Sequence, residues 1–300
     1  MISVIIPTYN RANTIGRSIR SVLSQTYQDI ELIVVDDCST DNTYEVIRSI
    51  GDNRLSYVKL DKNSGACVAR NKGIELAKGE YIAFQDSDDE WYPEKLEKQL
   101  AALIKNDADV CFCQTRIYNV GGERSFVFPS EKEMNGYVTL KTLYSRGGIT
   151  TQTILSKKKV CDKCHFDPLV TKLQDYDWGI QAGQEFSFYF LAEPLVNQYR
   201  QNDSISLSKD ALQRERAMRQ YFYNKYSYRY NEDRYMEYWL LKNMVYMKCL
   251  CGENTSKDYQ RIYQLSGKKK YLIGALLGDT RLFHLCIKFY NNMKYSKYWR

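Results

Sequence analysis

The feature that most constrains this chain is the alternation, over its first hundred residues, of short β-branched runs with stretches of helical period. Ser3–Ile6 reads as a strand, and Ile15, Ile19, Val22 and Leu23 then recur at the spacing of one helix face. Ile30–Val35 is a near-continuous apolar run, as expected of a strand buried on both faces. A helix around Tyr44–Ile50, a strand at Leu55–Leu60, a helix from about Cys67 to Ala77 and a strand at Tyr81–Gln85 follow. Leu96, Leu100, Leu103 and Ile104 mark the next helix. Repeated units of this length predict a doubly wound, mostly parallel α/β sheet.

Beyond residue 107 the pattern is mixed. Strands are expected at Val110–Ile117, Gln152–Leu155 and Leu195–Tyr199, with helices near Thr139–Tyr144 and from about Asp177. After Ser204 the chain reads as helices only. Tyr238, Leu241, Val245 and Cys249 form one stripe, Leu212, Met218 and Phe222 another, and Leu272–Leu277 and Leu282–Phe289 are separated by Gly278-Asp279. Charge changes at the same place. Residues 1–200 hold 24 Lys and Arg against 27 Asp and Glu, whereas residues 201–300 hold 19 against 9. Two domains are therefore expected, 1–208 and 209–300. No run of eighteen apolar residues suggests a membrane-spanning helix. The opening MISVIIPTYN lacks the features of a secretion signal, so the nine cysteines are expected to be reduced cytosolic thiols.

In open parallel sheets ligands bind beyond the carboxyl ends of the strands. This chain puts carboxylates at two such ends: Asp36-Asp37 after the second strand, and Asp86-Ser87-Asp88-Asp89-Glu90 after the fourth. Two carboxylates about 5 Å apart repel by roughly 3 kcal/mol at an effective dielectric of 20. A hard divalent ion, Mg2+ or Mn2+, shared with substrate phosphates suits such a rim. The plainer reading is a turn that caps the helix near Pro93. No G-x-G spacing exists, and the only Gly-Lys pair, Gly267-Lys268, has no glycine at 262. Dinucleotide fingerprints and P-loops are thereby excluded.

SVIIPTYNR, SVLSQTY, IELIVVDDCSTDNT and NSGACVARNKGIELAKGEYIAFQDSDDEWYP resemble, in order and spacing, the characteristic stretches of family 2 glycosyltransferases with the GT-A fold. The resemblance is dense over 1–110 and thinner to about 208, where FDPLVTKLQDYDW and LAEPLVNQYRQNDSIS are similar to later family segments. It implies an inverting, metal-dependent transfer of a sugar from a nucleoside diphosphate donor, with UDP the usual nucleotide. The acceptor would be a saccharide or a lipid-linked saccharide of a cell-surface polysaccharide, at the inner face of the plasma membrane. Carried over by position, Pro7, Thr8, Tyr9 and Asn10 would pack along the nucleoside, and Asp37 would accept a base N–H. Arg70 and Asn71 would line the donor site. Asp86 would face ribose or metal, Asp88 the metal bridging both phosphates, and Asp175 would be the catalytic base. An inverting displacement needs such a base, and the departing diphosphate needs its charge neutralised. Asp177 is the competing base, and an ordinary N-cap is the plainer role for Asp175. The family usually has Glu-Asp where this chain has Gln174-Asp175. After Tyr199-Arg200 it has Gln201-Asn202 in place of a histidine, which puts a third protein ligand in question.

Cys161-Asp-Lys-Cys164-His165 matches a haem-attachment string, but without export it reads as reduced thiols on a loop. Cys111 and Cys113 read as one face of a core strand, Cys249 and Cys251 point apart on a helix, and His284 reads as a packed residue. Residues 209–300 carry fourteen of the 26 tyrosines and the run Lys268-Lys269-Lys270. That composition suits an anionic membrane surface, with rings at headgroup depth, and equally a helical bundle packed on the catalytic domain or a second copy. No nucleic-acid-binding module accompanies the basic patch. Two rival functions remain at this level, a nucleotidyltransferase and a non-catalytic saccharide- or partner-binding protein.

Overall fold

Every residue of the first strand, β1 (Ile2–Thr8), is buried in the computed structural model. The description covers residues 1–119, 124–129, 136–146, 148–200 and 210–288. Gln201-Asn202, Ser204 to 208, Phe289 and the terminal MKYSKYWR lie outside it. The chain divides into two units, Met1–Ser204 and Ile205–Arg300.

In the first unit β1 is followed by α1 (Ile15–Leu23), β2 (Ile30–Asp36), α2 (Thr43–Arg48), β3 (Leu55–Lys59), α3 (Ala66–Leu76) and β4 (Tyr81–Phe84). β1 pairs in parallel with β2 and β4, and β2 with β3. Side chains alternate across this sheet, which sorts them into two cores. Val4 and Ile6 join Leu32 and Val34 on one face, while Ile5 joins Ile33 and Val35 on the other. Gly73 lets α3 lie directly on β1, since a Cβ there would come within 2.4 Å of Ile5.

β5 (Glu90–Trp91), α4 (Lys95–Lys105), β6 (Val110–Tyr118), β7 (Ser125–Phe128), β8 (Gly136–Val138), α5 (Leu140–Arg146), β9 (Ile154–Lys157), α6 (Lys158–Lys163), α7 (Gln174–Ala182) and β10 (Phe188–Tyr199) complete the unit. The sheet order is β3-β2-β1-β4-β9-β6-β10-β5, with β7 on β6 and β8 on β10. Only β9 runs against its neighbours within the central part, so the doubly wound, mostly parallel expectation holds.

Three boundaries differ from expectation. Residues 151–153 form a 3-10 turn, closed by the Thr153 hydroxyl on the Thr150 carbonyl at 2.6 Å, and the strand begins only at Ile154. β10 starts seven residues before Leu195, because Pro194 sits between two register shifts rather than ending the strand. α7 starts at Gln174, so Asp175 lies inside the first turn and is not the N-cap.

The second unit is helical: α8 (Ala211–Lys225), a 3-10 turn at Ser227–Arg229, α9 (Arg234–Cys251), α10 (Ser256–Ser266), α11 (Lys270–Leu277) and a helical segment over 281–288. Tyr238, Leu241, Val245 and Cys249 form its core with Met244, Ile262 and Tyr271. Leu212 leaves the expected stripe and is exposed, while Phe222 is fully buried. The Tyr238 and Tyr271 hydroxyls bond each other at 2.8 Å, and Tyr223, Tyr259 and Tyr263 pack against the same core. These rings therefore serve packing, not headgroup contact, because a buried phenol can pair its hydroxyl with another.

Candidate functional site

β1 and β2 end side by side, with Thr8 opposite Asp36. The Asp37 N–H donates to the Thr8 carbonyl at 2.8 Å, tying the two exits together. Asn10, at φ 51, donates its N–H to the Ser39 hydroxyl (2.9 Å) and accepts the Thr40 N–H on Oδ1 (2.8 Å). Pro7 and Thr8 are buried, whereas Tyr9 stands out at 43% exposure as a ring on the rim. Asp36 is fully buried and accepts Ser39 N–H (2.8 Å) and Tyr57 hydroxyl (2.6 Å). Asp37 spans Ser64 and Gly65, accepting their N–H groups at 2.6 and 2.7 Å on separate oxygens. The expected base contact must therefore share oxygens that already fix the loop before α3.

The acidic turn after β4 is held from three sides. From α1, the Arg17 guanidinium donates to the Asp88 carbonyl at 2.5 Å and the Ser18 hydroxyl to the Asp86 carbonyl at 2.9 Å. Arg17 also lies 4.1 Å from the centre of the Tyr199 ring. From the 3-10 turn, Gln152 donates its amide to Asp89 (3.0 Å), and from β10 the Tyr199 N–H donates to the other Asp89 oxygen (3.1 Å). Asp89 is 2% exposed. Burial, then the charges of Asp88 and Asp86, push its carboxyl well above the ordinary range. Asp86 and Asp88 remain partly exposed.

α3 and α7 meet over this turn. Arg70, 6% exposed, donates to Asp86 at 3.0 Å and to the Gln174 amide oxygen at 2.6 Å. Leu173 takes a left-handed backbone, φ 63, to start α7, an uncommon conformation for a side chain of this size. Asp175, partly exposed, accepts the Tyr176 N–H at 2.8 Å. Burial pushes its carboxyl up to about 6, against that hydrogen bond and the nearby Arg70 charge, while Asp86 adds to the rise. Asp177, the rival base, is 1% exposed and faces the interior. Asn71 does not join the cluster. Its amide donates to the Phe166 carbonyl (2.7 Å) and accepts the Phe166 N–H (2.9 Å), which tethers α3 to that segment.

Asp86, Arg70, Gln174 and Asp175 thus converge, and the sequence had pointed to all but the bridging role of Gln174. Arg17, Ser18, Asp89 and Gln152 as supports of the turn were missed. Asp89 sat within the acidic run, but nothing in the local sequence marks the other three. The donor set suits a hard divalent ion: two partly exposed carboxylates whose charge already opposes ionisation of a buried third. No group of three or more His, Cys, Asp or Glu among the described residues is placed to hold a metal. Asp86 and Asp88 are the residues that would hold such an ion.

The cysteine string departs from its expected loop. Cys161 is buried in α6 within hydrogen-bond distance of Ser156, Cys164 is buried just after that helix, and burial pushes both thiols up. Cys111 and Cys113 share one core face as read.

A doubly wound sheet with an acidic turn at the carboxyl end of its fourth strand, closed over by a helix bearing a carboxylate, defines a protein of GT-A type. A family model described as glycosyl transferase family 2 matches residues 3–162, and the chain belongs to that family: it is a glycosyltransferase. It is 46% identical over 211 residues to TuaG of Bacillus subtilis (strain 168), a glycosyltransferase named for teichuronic acid biosynthesis, covering 70% of this chain and 82% of that one. It is 36% identical over 182 residues to the Escherichia coli enzyme WfgD, a UDP-Glc:alpha-D-GlcNAc-diphosphoundecaprenol beta-1,3-glucosyltransferase, covering 59% and 68%. Among solved structures, S. aureus TarS 1–349 in complex with UDP-GlcNAc superimposes with a TM-score of 0.63 at 19% identity, over 93% of each chain. That likeness concerns the fold.

Proposed function

We propose that this glycosyltransferase moves a sugar, with inversion, from a UDP-sugar to a saccharide or lipid-linked saccharide acceptor in the assembly of a cell-surface polysaccharide. The observation that carries the reading is the convergence of Asp175, Arg70 and Asp86 above the acidic turn, with the Asp175 carboxyl raised to about 6. A base titrating there is ionised at neutral pH yet basic enough to accept a proton in the transition state. The names of TuaG and WfgD support the polysaccharide and lipid-diphosphate setting, and the UDP-GlcNAc complex of the TarS fold supports the donor class.

In this reading Pro7, Thr8, Tyr9 and Asn10 flank the nucleoside and Asp37 receives the base. Asp175 takes the proton of the acceptor hydroxyl as its oxygen bonds to the anomeric carbon, and the bond from that carbon to the nucleoside diphosphate breaks. Asp88 and Asp86 would hold Mn2+ or Mg2+, which when bound neutralises the leaving diphosphate. Arg70 fixes Asp86 and opposes the rise of Asp175. Gln174 keeps a hydrogen bond to Arg70 without adding a second negative charge beside the base.

The test is a transfer assay by mass spectrometry, offering UDP-sugars and a lipid-diphosphate saccharide to wild type and Asp175→Asn. The substitution should abolish transfer while leaving UDP binding intact. Transfer at wild-type rate by the variant would remove Asp175 from its role.

A further inference from the structure

The last two helical segments pack Tyr271, Phe283 and Ile287 inward but show six aliphatic residues to solvent. α11 turns Tyr271 and Gly274 inward, where a Cβ at 274 would meet the Tyr259 ring at 2.4 Å. Apart from Lys270 at its start, its exposed residues are aliphatic: Leu272, Ile273, Leu276 and Leu277 are 38, 56, 80 and 46% exposed. The segment 281–288 repeats the arrangement, with His284 buried against the Gly278 carbonyl at 2.8 Å while Leu282 and Leu285 are 72 and 53% exposed. A surface helix ordinarily turns polar residues outward, and large aliphatic side chains exposed in this number mark an interaction site.

The charges around these residues are mostly positive. Lys268, Lys269 and Lys270 lead into α11, and Arg281 and Lys288 flank the exposed leucines. From residue 259 to 300 the sequence holds nine Lys and Arg against one acid, Asp279. Arg281 and Lys288, with the acid Asp279 and with Asn254, His284 and Leu285, line an open cleft of about 520 Å3. Among the described residues, no helix is long and apolar enough to cross a membrane. Each of these two segments is only about 12 Å long, which suits lying in an interface and not spanning it.

We propose that the outward face of α11 and of residues 281–288 docks on an anionic phospholipid bilayer. Leu272, Ile273, Leu276, Leu277, Leu282 and Leu285 enter the acyl boundary, and the flanking lysines and arginine meet headgroup phosphates. The inference stands apart from the reaction proposed above, since it uses no residue of that site.

The experiment is co-sedimentation of the full chain with vesicles of phosphatidylcholine alone and with 30% phosphatidylglycerol, with light scattering of the free protein alongside. The wild type should partition onto anionic vesicles, weakly onto neutral ones, and lose binding in 1 M salt. Ile273→Glu/Leu276→Glu should lose at least tenfold in partitioning while keeping its circular dichroism and its UDP binding. Lys268→Gln/Lys269→Gln/Lys270→Gln should lose about a hundredfold, at roughly fivefold per charge near such a surface. Failure of the wild type to bind anionic vesicles would overturn the proposal. So would equal binding by the double-glutamate variant, or a wild-type dimer that this variant dissolves, which would make the face a contact between copies. Loss of UDP binding by the wild type itself would count against the reaction and not against this surface.

Discussion

Asp175 illustrates how one side chain trades stability for chemistry. Its native carboxyl titrates near 6, above the unfolded value near 3.9, so the folded state binds its proton more tightly. That contribution is fully present below about pH 4 and is lost as pH rises through 6, by up to about 3 kcal/mol for a shift of two units. Asp175→Asn should therefore raise the melting temperature at pH 7.5 and change it little at pH 4, as differential scanning calorimetry would read. Transfer by the wild type should rise with pH through a midpoint near 6, since the base must be ionised. Gln174→Glu adds a negative charge beside it and should move that midpoint upward in the pH profile of kcat. The sequence made Asp175 legible because a motif surrounds it. Arg70 and Gln174 stand 104 positions apart, so their bond could not be read from spacing.

The acidic turn is an element whose shape is imposed by its neighbours. Gln152 reaches Asp89 and, through its carbonyl, accepts the Trp91 indole N–H at 3.0 Å. Gln152→Ala leaves a buried carboxyl without one partner and should destabilise the first unit by about 1–3 kcal/mol. It should also weaken metal-dependent UDP binding, because the turn carrying Asp86 and Asp88 loosens; calorimetry reads both. Beneath the turn Lys95 is fully buried, 3.8 Å from the centre of the Trp91 ring, and burial lowers its ammonium to about 8. Below pH 8 the folded chain carries that charge at a cost, and between 8 and the unfolded value near 10.4 the native state regains stability. Lys95→Met should accordingly raise the melting temperature at pH 7, with the gain shrinking toward pH 10. The parallel strands were legible from their β-branched runs, and α1 and α3 from their period. β10 was half hidden because Pro194 resembles a strand end, and the start of α7 because Leu173 gives no cap signal. Sequence patterns record local preference, whereas these boundaries are set by strand pairing and by a strained backbone.

At the scale of the whole molecule, charge and fold class divide together. The acidic α/β unit bears the site residues, and the basic helical unit bears the exposed leucines. The composition of the second unit foretold a membrane or a packing role; Tyr238 and Tyr271 lie in its core, whereas the leucines and the isoleucine of α11 face outward. Only the folded arrangement of α11 separates the two. The central claim remains a donor site held by carboxylates at the end of β4. Its most direct test is calorimetric titration of UDP into wild type and Asp88→Ala, each with Mn2+ and with chelator. The account predicts binding by the wild type with Mn2+, and loss of it on chelation or on substitution of Asp88. UDP binding indifferent to both Mn2+ and Asp88, or no binding at all, would contradict it.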